Sequence, residues 1–266
     1  MRQEEAVNKL VDSLREDPCV RSIFLKGSMG RNEHDKHSDI DLYCLIDEEE
    51  EKTFLSRRLS HLKSYKDIIF YDDIFIVAPQ IIAIYEDWLH VDLFTVTEKT
   101  FQNKDYFTVL YDPDNLMNAY NSSQKLTLSE DEFKDHVIDV AWFLFQYKKA
   151  MERGNPTWAP EMLRHVMRGL CSIILFRYCR DRSQLGLKAI HAHLPKEKQN
   201  RIQEIYEYTT PSDHELAIKK ITSLINMEFN WIKGQFEKDN RTIPFLKLML
   251  ETFSKEENKQ LNVESK

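Results

Sequence analysis

Apolar residues along this chain first come in short runs and later recur every three or four positions. The first stretch is an exception: Ala6, Val7, Leu10, Val11 and Leu14 fall at helical spacing over residues 4–14, and Asp17-Pro18 ends them. A run over 20–26 then predicts a strand, with Gly27-Ser28 as a tight turn behind it. A second apolar run follows over 42–46. Residues 50–65 read as a helix, with the acids 47–51 as its solvated N-terminal approach, where negative charge suits the helix dipole. Short strands are predicted at 68–71 and 74–77 around a turn at Asp72-Asp73. Residues 80–85 and 89–96 read as a hairpin turning at Glu86-Asp87-Trp88.

From residue 112 to about 128 the chain is polar and turn-rich, which predicts a linker. Ser129 with Glu132 three residues later forms a capping box at the head of a long helix. Its apolar face holds Phe133, Val137, Val140, Ala141 and Leu144, and Gly154-Asn155-Pro156 closes it. Further helices are predicted over 158–182, 185–193, 196–208, 212–238 (with Ser212 and Glu215 as a second capping box) and 243–253. Pro160 suits a first turn. The tail 254–266 is polar and predicted to lack structure. Strands first and helices afterwards predict α+β segregation into two units.

Composition narrows the classes. At 266 residues the chain can bury a sizeable core in one large or two ordinary domains. A net charge of −7 argues against sequence-independent binding of nucleic acid, which needs a basic surface. It is compatible with a cationic small substrate. Cys19, Cys44, Cys171 and Cys179 show no paired metal spacing and read as reduced thiols of a cytoplasmic protein. No leader and no membrane-length apolar run is evident.

The chemistry concentrates in residues 22–46. Alternation on a strand sends Asp39 and Asp41 to one side. Two carboxylates so close repel each other, and a divalent cation resolves that repulsion; magnesium prefers oxygen ligands and is commonly held by carboxylates together with substrate phosphates. Gly27 lets backbone approach a ligand closely, and Ser28 offers a hydroxyl beside an N–H. Phosphate turn and carboxylate pair together suggest a nucleoside triphosphate with metal. Arg31, three residues on, reads equally as a triphosphate partner or a surface arginine. His34 and His37 read as solvated loop residues. Asp92 interrupts the apolar strand 89–96, and an acid there needs a partner or a task.

Gly27-Ser28, ten residues, then Asp39-x-Asp41 with apolar flanks resembles the nucleotidyltransferase superfamily that includes DNA polymerase beta. Length and N-terminal placement look most similar to the antibiotic nucleotidyltransferases that modify lincosamides and aminoglycosides. The resemblance implies a mixed-sheet catalytic domain over 1–115 and an all-α helical-bundle, substrate-binding domain over 129–253. It implies that Asp92 completes the metal site with Asp39 and Asp41, that two Mg2+ ions and ATP or another NTP are used, and that Gly27, Ser28 and Arg31 hold the nucleotide. It further implies transfer of a nucleoside monophosphate, AMP by default, to a small-molecule hydroxyl, with pyrophosphate released. Some relatives place the acceptor between subunits, so a homodimer is compatible.

The base is open: Asp92 itself, or Asp139, Glu152 or Glu161 from the helical half. Lys148, Lys149, Arg164 and Arg168 offer cations there, though each also reads as an exposed helix residue. Two other functions compete. One is a fold relative that modifies or binds a protein partner, antitoxin-like; against it, the helical part shows no Arg-x4–6-His ribonuclease signature. The other is a degenerate nucleotide-binding module; the complete set Gly27, Ser28, Asp39, Asp41, Asp92 argues against that.

Overall fold

A computed structural model describes all residues except 77, 102–103, 238–240 and 265–266, with side chains of 255–264 also outside the described set. The chain divides into two compact units, Met1–Lys125 and Leu126–Lys266.

In the first unit, helix α1 (Arg2–Leu14) buries Ala6, Val7, Leu10 and Leu14. Strand β1 (Val20–Leu25) leads into a single helical turn, α2 (Gly27–Gly30), and the chain returns as β2 (Ile40–Ile46). After a 3-10 turn at Glu48–Glu50 come α3 (Glu51–Leu55) and α4 (Arg58–Leu62), then β3 (Ile68–Phe75), β4 (Pro79–Tyr85), β5 (His90–Val96) and β6 (Thr108–Tyr111). These strands form one mixed sheet in the order β3-β4-β5-β2-β1-β6. The β2–β5 pair is parallel and every other pair antiparallel. Alternation splits the sheet chemically. Ile40, Leu42, Cys44, Val91 and Leu93 pack in one cluster with α1, while Phe24, Leu45 and Val96 belong to a second cluster with Phe101, Phe107 and Met117.

Several expectations are corrected here. The helix over 50–65 is broken in two. The Ser56 hydroxyl donates to the Thr53 carbonyl at 2.7 Å, which ends α3. Arg58, 1% exposed, then reaches both Asp73 oxygens at 3.0 Å. Asp72-Asp73 is no turn. Both residues lie inside β3, paired in register with Ile82 and Ile81. An edge strand exposed on much of its surface tolerates acids, and Lys or acid there also discourages further pairing. Strand β6 was not predicted. The stretch read as linker holds a 3-10 helix at Leu116–Ser123, and Met117 within it is 1% exposed.

The second unit is helical: α5 (Glu130–Glu152), α6 (Trp158–Tyr178), a 3-10 segment Arg180–Ala189, α7 (Ile190–His193), α8 (Lys196–Glu207), α9 (His214–Gly234) and α10 (Thr242–Glu264). The first capping box forms as expected. Glu132 N–H donates to the Ser129 hydroxyl at 3.2 Å, and Ser129 N–H to the Glu132 carboxylate at 2.9 Å. The expected second box does not. Asp213 stands at the N-cap, and Ser212 donates to the Asp213 carboxylate at 2.6 Å. Helix α6 stops four residues short of Arg182, because the following segment is tied to the chain entering α5. Leu128 N–H donates to the Ser183 hydroxyl and Gln184 N–H to the Leu126 carbonyl, each at 2.9 Å. Gly169 allows α5 and α6 to pack closely: a Cβ there would stand 3.1 Å from the His136 carbonyl oxygen and from Val140. The tail expected to lack structure from Ser254 carries the α10 backbone to Glu264. The four cysteines are free thiols, and no described helix is long and apolar enough to cross a membrane.

Candidate active site

The parallel pairing of β2 and β5 sets Asp41 directly opposite Asp92. Asp39 stands one residue before β2, and His90 begins β5. Ligand atoms of Asp39, His90 and Asp92 all lie within 4.8 Å of one another. His90 Nε2 is 3.1 Å from Asp92 Oδ1, and its Nδ1 is 3.8 Å from Asp39 Oδ2. The bond to Asp92 raises the His90 pKa, with the charges of Asp92, Asp39 and Asp41 adding to it. Asp92 is 9% exposed. Burial, and then the charges of Asp39 and Asp92, push the Asp41 carboxyl up to about 6.

The turn meets the carboxylates through Gly27. Its φ is +61°, and a Cβ there would lie 1.8 Å from Asp41 Oδ2. Only glycine fits, for both reasons. Lys26 N–H donates to the Asp41 carbonyl at 3.0 Å, joining the end of β1 to β2. Within α2, the Gly27 and Ser28 carbonyls accept from Arg31 and Glu33 N–H groups at 3.2 and 2.8 Å.

Beside Asp41 lies a cleft of about 190 Å³ lined by Lys26, Gly27, Asp41, Tyr43, Thr100 and Asp105, among others. The Lys26 ammonium donates to the Lys104 carbonyl at 2.9 Å and sits 4.8 Å from the Phe101 ring centre and 5.2 Å from that of Tyr43. Burial lowers its pKa to about 8, against the raising pull of Asp105 and Asp41. On the cleft wall, Tyr43 stacks on Phe94 at 4.3 Å.

Thus Gly27, Asp39, Asp41 and Asp92, which the sequence singles out, come together, with Ser28 next to Gly27 on α2. Arg31 is paired at the edge of the cleft: its Nη1 donates to both Asp105 oxygens at 2.9 and 2.7 Å, and its Nε to Glu33 at 2.8 Å. His34 lies by α1, its Nε2 4.0 Å from a Glu4 oxygen, and His37 is exposed. Of the acidic run, Asp47 binds Arg21 and Glu48 binds Lys99, as a solvated strand end does. Asp139, Glu152 and Glu161 are exposed on α5 and α6, Glu152 paired with Lys148 and Glu161 with Arg164. Lys149 is half-buried by the Phe145 ring, and Arg168 is exposed.

Sequence reading missed His90, Lys26 and Asp105. A signal for His90 was present. His90-x-Asp92 on a strand shares one face, as Asp39-x-Asp41 does. Lys26 closes an apolar run just before the turn, which is where a strand-end side chain meets the site. Asp105 carries no local signal.

Asp39, His90 and Asp92 bring their donor atoms within 4.8 Å of one another, with Asp41 in register beside Asp92, and carboxylate oxygens with one imidazole nitrogen at the rim fit a divalent ion. A mixed sheet with this carboxylate pairing, followed by a helical unit, is the architecture of the nucleotidyltransferases, and this chain is one. The family is narrower still. Residues 1–230 match the family model described as streptomycin adenylyltransferase, and the chain belongs to that family. Comparison with curated proteins gives no match. Among solved structures, an aminoglycoside 6-adenyltransferase from Bacillus subtilis is 13% identical, with 96% of this chain and 98% of that one covered and a TM-score of 0.40. A nucleotidyltransferase-like protein from Exiguobacterium sibiricum is 12% identical, covering 94% and 89%, also at 0.40. The Bradyrhizobium diazoefficiens CD-NTase CdnG, solved with GTP, is 14% identical, covering 95% and 91%, at 0.30.

Proposed function

We propose that this protein transfers AMP from ATP to a hydroxyl of an aminoglycoside-type small molecule and releases pyrophosphate. The observation that carries the reading is the set of carboxylates Asp39, Asp41 and Asp92, gathered by parallel pairing of β2 and β5 beside the Gly27 turn. Family membership favours the adenylyl group and a streptomycin-like acceptor over a lincosamide. Asp39, Asp41 and Asp92 are the residues that would hold magnesium. When bound, the ion neutralises charge on the triphosphate and on the oxygens exchanged at the α-phosphorus.

The chain's own groups do the rest. Gly27 and Ser28 bring backbone up to the phosphates. Lys26 presents a fixed cation on the cleft wall beside Asp41, where it attracts the polyphosphate. Asp92 takes the proton of the attacking hydroxyl, and the ring N–H of its partner His90 holds the Asp92 carboxylate in place. Arg31 serves by holding Asp105, and through it the cleft wall.

The test is pyrophosphate release from ATP with Mg2+ across aminoglycosides, lincosamides and unrelated alcohols, with mass spectrometry of the acceptor. An aminoglycoside gaining one AMP, lost in Asp39→Asn/Asp41→Asn, supports the reading. AMP appearing only on other acceptors, or equal turnover in the double variant, would falsify it.

A further inference from the structure

Asp39 immediately precedes β2, so pairing holds it on one side only, and the loop leading into it holds the other. That loop closes on itself at residues 35–38. The Asp35 carboxylate accepts from His37 N–H at 2.8 Å and from the Ser38 hydroxyl at 3.3 Å. The Ser38 hydroxyl accepts from Asp35 N–H at 3.0 Å, and Ser38 N–H donates to the Asp35 carbonyl at 3.1 Å. Such a turn is rigid within itself but needs an anchor to the body of the unit.

Gln3 of α1 is that anchor. It is 0% exposed, and its Nε2 donates to the Asp35 carbonyl at 3.0 Å and the Ser38 carbonyl at 3.1 Å. Both partners are acceptors only, so the amide nitrogen must face the loop. The Ser38 carbonyl belongs to the peptide plane that ends at Asp39. Because that unit is planar, holding its oxygen restrains the swing of the plane and so of the Asp39 Cα. Meanwhile Gln3 Oε1 is buried with no hydrogen-bond partner among the described residues. A buried unsatisfied oxygen costs about 1–3 kcal/mol, a cost that packing alone would avoid by placing leucine or methionine there.

We propose that Gln3 is a positioning residue for the cation site: it aims the Asp39 carboxylate at the space shared with His90 and Asp92 and touches neither substrate nor ion. This rests on the reading of Asp39 as a metal ligand. Residues that orient a ligand from behind commonly change metal affinity by about 10–100-fold when removed. Gln3 acts on the backbone ahead of the ligand, so the lower end applies.

The experiment is Mn2+ titration by calorimetry on the full chain, wild type against Gln3→Met, which keeps the length and loses both donors. Hydrogen exchange of residues 33–41 is followed alongside. The expected result is about tenfold weaker Mn2+ binding in Gln3→Met, faster exchange confined to the loop, and a melting temperature close to wild type. Faster exchange or a lower melting temperature with unchanged Mn2+ affinity would make Gln3 merely structural and overturn the proposal. Should Gln3→Met not fold, Gln3→Asn, which keeps the amide but draws it back by one methylene, supplies the same comparison. Asp39→Asn separates the two readings. If it weakens Mn2+ binding while Gln3→Met does not, the Gln3 proposal alone falls. If it leaves binding unchanged, the cation site falls and takes the Gln3 role with it.

Discussion

Glu228 in the helical unit and Asp92 in the sheet unit are both carboxylates shut away from water, but their surroundings are opposite. Glu228, on α9, is 2% exposed and fully matched: Arg177 reaches it at 2.5 Å, Lys198 at 2.8 Å and the Tyr178 hydroxyl at 3.3 Å. Arg177 also stacks over the Trp231 ring at 5.3 Å. Charge is balanced there by side chains alone, which is how a structural buried acid survives. Asp92 has His90 as its bonded partner and two further acids, Asp39 and Asp41, beside it. Folding gathers like charges there and pushes the Asp41 carboxyl up to about 6. Like charges gathered in one place are the arrangement expected of a functional site, whereas a balanced set suits a core.

Substitutions sharpen that contrast, beginning with the strongest. Asp41→Asn is expected to lower kcat/KM by about 10³-fold, roughly 4 kcal/mol, while the melting temperature holds or rises as repulsion from Asp39 and Asp92 is relieved. Steady-state kinetics beside thermal unfolding reads both. Glu228→Ala is expected to do the reverse. It should cost about 3–5 kcal/mol of stability by stranding Arg177 and Lys198, with activity per folded molecule kept. Urea unfolding measures it. Were Glu228→Ala to abolish turnover in folded protein, the division between the two sites would break.

Gly27→Ala tests whether the turn belongs to the carboxylates. The added methyl meets Asp41 Oδ2 at 1.8 Å and strains a left-handed residue. A displacement of about 1 Å at the site is enough for roughly 10²-fold lower activity, read by the same kinetics. The smallest effect concerns a matched acid in the sheet unit itself. Asp17, 5% exposed, accepts from Arg57 at 2.6 Å, His61 at 2.9 Å and Cys19 N–H at 3.0 Å, and these bonds hold its carboxyl below the usual range despite its burial. A folded pKa below the unfolded one means its stabilisation is present above about pH 4 and is lost as pH falls through the folded value. Asp17→Asn should therefore flatten the acid limb of the stability–pH curve and cost about 2 kcal/mol near neutral pH.

These residues also show what sequence could and could not reveal. The strand, turn and strand of residues 20–46 were legible because apolar runs bracket a glycine and an alternating acid pair, and each signal is local. The capping box at Ser129 was legible for the same reason. The pairing of β2 with β5, which brings His90 beside Asp39, spans a crossover of more than forty residues and leaves no mark in either strand. Asp105 meets Arg31 from across the sheet unit, a pairing that nothing local to Arg31 signals. Asp72-Asp73 misled because an edge strand need not alternate, and Arg58, buried under it, was too far along the chain to read as its partner. Gln3 was invisible for the plainest reason: its partners are backbone carbonyls, which every residue has.

The central claim is that Asp39, Asp41 and Asp92 form a cation site that works on a nucleotide. Thermal unfolding of wild type and Asp41→Asn, with Mn2+ and a non-hydrolysable ATP analogue added separately and together, tests it most directly. Ligand that binds only the folded state raises the transition in proportion to its occupancy. A rise in wild type that is largest with both ligands and absent in Asp41→Asn is the predicted result. Equal rises in the two proteins, or none in wild type, would contradict it.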